Sequence, residues 1–176
     1  METFLYICLA LIVFIGLLTL VLPKTYIVKR SVTIKKPIEE VFDYLKMIKN
    51  QDLWSPWKQK DPNMKQDYVG EDGAIGFIAK WEGNKEVGQG EQELVGLVEN
   101  ESIQTKLRFF KPWKSESEGF FYLNSTEDGK TTVEWGFTGV NNPPMNILML
   151  FMNFEKAVGN DFEEGLEKLK SILEQN

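Results

Sequence analysis

Any acid–base chemistry in this chain has to run on carboxylates. Histidine is absent, and the single cysteine, Cys8, lies in the most apolar stretch. Together these exclude disulfides within the chain, Cys/His zinc sites and every Ser–His or Cys–His nucleophile pair. The acidic side chains that fall in well-patterned segments are Glu91, Glu93, Glu118, Glu134 and Asp161. A carboxyl buried in a pocket has a raised pKa and can act as general acid or base. Alternation sets Glu134 opposite Trp135, toward solvent, whereas Glu91 and Glu93 share a face whose direction alternation does not fix. No combination of the five forms a catalytic motif, and no cofactor is implied. The segment Glu82-Gly83-Asn84-Lys85-Glu86-Val87-Gly88-Gln89-Gly90 has the glycines of a phosphate cradle. It lacks the strand–loop–helix context, and its carboxylates repel anions, so a hairpin with a glycine bulge is expected.

The second group with chemical potential is aromatic: 12 Phe, 5 Trp and 5 Tyr. Period two sets Val133, Trp135 and Phe137 on one face, and pairs Leu107 with Phe109, Phe121 with Leu123 and Phe77 with Trp81 on theirs. Such faces either fill an ordinary core or line a hydrophobic pocket. Trp54, Trp57, Phe77, Trp81, Phe109, Phe121, Trp135, Met149 and Met152 are the lining candidates. Trp54-Ser55-Pro56-Trp57 falls in an expected loop, where two tryptophans need cover. They plug an open end of the sheet, or form a pocket mouth or a lip against a membrane. Met145 to Phe154 is apolar on almost every side and rich in adaptable methionine. It reads as core, as a gate over a cavity, or as a face resting on a bilayer.

Periodicity locates the scaffold for these residues. Tyr26 to Ile34 alternates and is β-branched, a strand. Pro37 suits a first helical position, Glu39 and Glu40 favour a first turn, and Ile38, Val41, Phe42 and Leu45 recur at helical spacing to about Met47. A loop with Pro56 and Pro62 comes next. Six strands are then expected, at Met64–Val69, Ile75–Trp81, Val87–Val98, Ser102–Phe110, Glu116–Asn124 and Thr131–Thr138. Short connections such as Asp128-Gly129 make them an antiparallel meander. After Pro143-Pro144 a long helix carries Phe151, Phe154, Val158, Phe162, Leu166, Leu169 and Leu173 on one face. The fold class is α+β, a curved antiparallel sheet around a long C-terminal helix, which encloses space that side chains need not fill.

Phe4 to Leu22 contains no charge. As a helix it reaches about 28 Å, close to the thickness of a hydrocarbon core. A cleaved signal peptide is disfavoured: no basic residue precedes the run, the run is long, and Leu20-Val21-Leu22 offers no small-residue cleavage site. Residues 1–22 are therefore expected to be an uncleaved anchor and 23–176 one domain. Lys24, Lys29, Arg30, Lys35 and Lys36 follow the span, so the positive-inside rule puts that domain in the cytoplasm at the cell membrane. The chain carries 20 Lys+Arg against 26 Asp+Glu, net −6, which disfavours a nucleic-acid partner.

Several of these pieces together resemble the SRPBCC superfamily, with its START-like helix-grip fold, and more narrowly its bacterial membrane-anchored polyketide cyclase-like members. The resemblance rests on Leu22-Pro23-Lys24, Trp54-Ser55-Pro56-Trp57 with Lys60-Asp61-Pro62, the Trp81-to-Gly90 hairpin, Phe110-Lys111-Pro112-Trp113, and Gly159-Asn160-Asp161-Phe162 with Gly165-Leu166. It implies a deep hydrophobic cavity between sheet and C-terminal helix. It transfers no catalytic residues, because one fold hosts many functions. The expected function is binding of a hydrophobic small molecule (a lipid, quinone or isoprenoid) by a membrane-tethered domain. The alternatives are a cyclase-like or hydrolytic enzyme using a pocket carboxylate, and a regulatory or interaction module with a filled core.

Overall fold

A computed structural model describes residues 2–140, 146–147 and 154–175, with the side chains at 2, 8, 11, 12, 15, 20 and 154 outside that set. The chain begins with helix α1 (Glu2–Val21) and turns at Pro23 into strand β1 (Thr25–Ile34). Helix α2 (Ile38–Lys46) starts after Pro37, carries Glu39 and Glu40 in its first turn and Lys46 in its last, and buries Val41, Phe42 and Leu45.

The expected loop at 48–60 is helical instead. It holds a 3₁₀ turn (Ile48–Asn50) and two short helices, α3 (Gln51–Trp54) and α4 (Pro56–Lys60). Extended Ser55 separates these two, and Pro56 starts the second at the position where its missing N–H costs nothing. Helices of four and five residues are too short to leave a periodic signature.

Strands β2 (Lys65–Val69), β3 (Ile78–Glu82), β4 (Gln89–Val98), β5 (Ser102–Lys111), β6 (Ser115–Ser125) and β7 (Thr131–Val140) complete one seven-stranded sheet of order β1-β7-β6-β5-β4-β3-β2, every pair antiparallel. β3 starts three residues later than alternation indicates. The chain at 71–77 is held as a turn: Asp72 accepts from the backbone N–H of Ile48 (2.8 Å) and Lys49 (3.3 Å), and Gly73 and Gly76 take positive φ. Register shifts at Gln89/Gly90 and Leu94/Gly96 interrupt the β4–β5 ladder, a device that increases local twist.

The last helix, α5 (Phe154–Gln175), buries Phe162, Leu166, Leu169 and Leu173 and lies mainly along β1. Most of Met145 to Phe154, including Met149, Phe151 and Met152, lies outside the described residues, as does the Phe154 side chain.

One margin of the sheet gathers several distant stretches of chain. Thr25 pairs with Val140, Gly139 with Ser117, Phe109 with Ser115, and Gln89 with both Lys111 and Glu82. The start of β1, the end of β7, the β5–β6 hairpin and the β3–β4 hairpin therefore share the end at which α1 joins. The described side chains of α1 are exposed along most of its length, with Leu18, Thr19 and Leu22 half-buried at its close. Over what is described, no helix is long and apolar enough to cross a membrane.

Candidate functional site

The inner face of the sheet, the one turned to α5, carries Tyr26, Val28, Arg30 and Val32 on β1. Register then sets Val133, Trp135 and Phe137 on β7, Phe121 and Leu123 on β6, Leu107 and Phe109 on β5, Gly90, Gln92 and Leu94 on β4, and Trp81 on β3 on the same side. This face has two halves of different character.

Away from the α1 end it is closed. Trp135 is ringed by Phe162 (centroids 4.2 Å), Trp54 (4.8 Å), Phe121 (5.6 Å) and Trp57 (5.6 Å). Trp54, Phe121 and Phe162 are almost fully buried. Helices α2 to α4 supply the cover, with Val41, Leu45 and Trp54 in one buried cluster with Leu94, Ile103 and Phe121. Offset-stacked and edge-to-face rings at these separations add to the area they bury. The loop tryptophans thus act as core: Trp54 completely, Trp57 at its edge.

Toward the α1 end the same face is only half-covered. Trp81 and Phe109 meet edge to face at 5.8 Å, and both, with Leu107 and Gln92, are half-buried among the described residues. Trp81 lies across its cross-strand partner Gly90, where a Cβ would strike the indole. Tyr26 lies in the same way over Gly139, and its phenol pKa is raised by burial, partly offset by its hydrogen bond with Ser117. Within this aromatic surface, the Gln92 amide donates to the Thr105 hydroxyl (3.3 Å). That is a polar pair of the sort that orients a mostly apolar guest.

A separate recess of about 570 Å³ opens at the α1 end of β1, β7 and β6. It is walled by Thr25, Tyr26, Ile27, Thr138, Gly139 and Val140 together with Lys106, Glu116, Ser117 and Glu118. Most of those side chains belong to the outer face, so it is distinct from the half-covered aromatic patch and contains none of the predicted lining residues.

Four of the five candidate carboxylates face away from the patch. Register puts Glu91, Glu93, Glu118 and Glu134 on the outer face. There Arg108 donates to Glu91 (2.9 Å) and Glu93 (2.6 Å), and Lys29 pairs with Glu134 (3.0 Å). The fifth, Asp161 on α5, accepts from Lys60 (2.6 Å). On the inner side, Arg30 donates to Glu163 (2.6 Å) and Glu155 (2.8 Å), which hold its guanidinium charged beside Gly159. Among the described residues no cluster of acidic or cysteine side chains could hold a metal.

The nine lining candidates therefore separate. Trp54, Trp57, Phe121 and Trp135 form the closed stack. Phe77 is buried in the same core cluster but outside the ring stack, with its own ring stacked on Tyr68 (6.0 Å). Trp81 and Phe109 form the half-covered pair, and Met149 and Met152 lie outside the described residues. Gln92 was not among the candidates, though alternation alone sets this polar side chain between Gly90 and Leu94 on an otherwise apolar face. Nor was the network in which Asp52 accepts from Gln66 (2.7 Å) and from the Tyr68 hydroxyl (3.1 Å), with Lys58 donating to Gln66 (2.7 Å). That network joins α3, α4 and β2, and no spacing rule links them.

No protein-family model matches this chain, and no curated protein matches it in sequence. Solved structures do match in shape. The chain is similar to the Aha1 dimer protein of Colwellia psychrerythraea (20% identity, TM-score 0.57, 85% of this chain and 96% of that one). It is similar to Ara h 8.0201 (10% identity, TM-score 0.59, 86% and 99%). It is also similar to the di-domain ARO/CYC protein StfQ of the steffimycin biosynthetic pathway (12% identity, TM-score 0.63, 86% of this chain), of which it spans 51%. At these identities the likeness establishes a fold alone: the antiparallel sheet and long C-terminal helix form a helix-grip fold.

Proposed function

We propose that this chain is a bilayer-tethered binding protein for a hydrophobic small molecule of the lipid, quinone or isoprenoid class. In this reading α1 spans the membrane, the domain lies on its cytoplasmic side, and the guest lodges between sheet and C-terminal helix at the α1 end. One observation carries the reading. The inner face is closed by the Trp135 stack in its far half, yet Trp81, Phe109 and Leu107 remain half-covered in the half nearest α1. Apolar area of that kind is costly to leave in water, and it lies where a guest leaving the bilayer would arrive. The uncharged run from Phe4 to Leu22, with its exposed Phe4, Leu5, Val13, Leu17 and Val21, supports the anchor. A tether also raises the effective concentration of membrane-dissolved ligand at the mouth of the site. Carboxylate catalysis finds no support at the aromatic patch, because Glu91, Glu93, Glu118 and Glu134 are turned to the opposite face.

Native mass spectrometry of the full chain released from membranes tests the binding. Apolar adducts are expected on the wild type and are expected to be lost in Trp81→Ala and Phe109→Ala. Consistently empty wild-type protein would overturn the reading. Retention in the membrane pellet after an alkaline carbonate wash tests the anchor independently.

A further inference from the structure

We infer that the β5–β6 hairpin is a second, shallow membrane contact: Trp113, flanked by Lys111 and Lys114, docks on an anionic bilayer surface beside the anchor. The inference rests on the tethered reading above and adds a site to it. Trp113 is the most exposed tryptophan of the chain, at 73%, with Phe110 beside it at 41%. The hairpin turns at residues 112–114, between Lys111, where β5 ends, and Ser115, where β6 begins.

Register fixes where that tip lies. Because Ser117 pairs with Gly139, the tip passes the end of β7 by roughly 10 Å at strand rise, on the side where α1 joins β1. Laterally, β6 is two strand spacings from β1, roughly 10 Å. A bilayer lying across that end would meet this tip together with the β3–β4 hairpin, which turns at residues 84–87 and reaches as far along the strands, before most other parts of the sheet. Gly88, with φ +72°, lets the β3–β4 hairpin close against the Lys111 carbonyl, so the tip is braced by its neighbour.

The chemistry fits one occupant. An indole with an apolar body and a polar N–H belongs at headgroup depth, and lysines beside it seek anionic lipid. Lys111 and Lys114 form no ion pair among the described residues, and Lys24 and Lys85 are exposed at the same end. Glu116, at the base of the hairpin, is occupied by Lys106 (2.8 Å), which holds its carboxyl below the usual range. Glu82 and Glu86 in the adjacent hairpin are the opposing charges.

The test uses the full chain in vesicles of phosphatidylcholine and phosphatidylglycerol with brominated acyl chains, which quench tryptophan at the acyl boundary. None of the 5 tryptophans belongs to α1, so the anchor itself contributes no signal. Quenching is expected in the wild type. A component of it should be lost in Trp113→Phe, and reduced when phosphatidylglycerol is omitted or when Lys111→Gln and Lys114→Gln are combined. Equal quenching in wild type and Trp113→Phe, with the chain retained through a carbonate wash, overturns the hairpin contact alone. Release of the chain by the wash overturns the anchor, and the hairpin contact with it. A Trp113 shielded from aqueous iodide but untouched by brominated lipid would mark a protein-docking surface and overturn the lipid assignment.

Discussion

Tyr26 and Gly139 are direct cross-strand partners, and the Tyr26 ring covers Gly139 so closely that no Cβ fits beneath it. The same relation joins Trp81 to Gly90 and, on the outer face, Phe120 to Gly136. An aromatic ring laid over a strand glycine recovers packing that the glycine forfeits. Gly139→Ala is therefore expected to destabilise the domain by about 1–3 kcal/mol through overpacking, although alanine alone is the better strand residue. Combining it with Tyr26→Ser should cost less than the sum of the two single changes. A double-mutant cycle by denaturant unfolding measures this, and strict additivity would contradict the contact.

Trp135 and Trp81 should respond differently to truncation. Trp135→Ala removes the ring at the centre of the closed stack and is expected to cost about 3–5 kcal/mol. Trp81→Ala removes a half-covered ring, with an expected cost of roughly 1–2 kcal/mol by area, and should abolish ligand adducts. Thermal or chemical melts paired with native mass spectra separate the two. Equal stability losses would show that the two halves of the inner face do not differ as described.

The Tyr68 hydroxyl is pushed up to about 12, first by burial and then by the Asp52 carboxylate it donates to. The unfolded chain releases this proton near pH 10, whereas the folded chain retains it to about 12. Between those values the unfolded state binds fewer protons, so stability falls as pH rises through that window. Tyr68→Phe should remove part of this alkaline loss while costing about 1 kcal/mol at neutral pH for the hydrogen bond. Unfolding midpoints measured from pH 8 to 12 decide it, and an unchanged alkaline slope would refute the assignment.

Asn146 donates to the Thr19 carbonyl at 3.0 Å. In a helix that oxygen would accept from residue 23, but Pro23 has no N–H to give. Asn146 is buried, and its side-chain oxygen has no partner among the described residues. Asn146→Ala thus strips the partner from an exit carbonyl of α1 and is expected to cost about 1–3 kcal/mol. Denaturant unfolding of the full chain in micelles checks it. Asn146→Gln should recover little, because its longer arm does not fit the buried position.

Much of this architecture is legible in the residues. Alternation locates all seven strands to within three positions at either end, and the meander comes from the short connections of the last six. Glu134 opposite Trp135 points to the correct outer face. What alternation does not supply is direction or closure. Glu91 and Glu93 share a face, and only their pairing with Arg108 across β5 shows it to be the outer one. Trp54 and Trp57 read as loop residues because helices of one turn carry no period; their burial comes from contacts with Trp135 and Phe162, far away in sequence. Core and pocket demand the same inward aromatic pattern, so the division between the Trp135 stack and the Trp81–Phe109 pair emerges only in three dimensions.

The short passage from α1 through Pro23 into β1 also has a mechanical meaning. A pull on the N-terminal helix enters the sheet at the first residue of β1, an edge strand whose ten residues are all in register with β7, and its component along the strand is carried by the whole ladder. Their hydrogen bonds lie across that axis and are loaded together in shear, not unzipped one after another. If α1 is the anchor proposed above, the domain would hang by the joint least prone to peel.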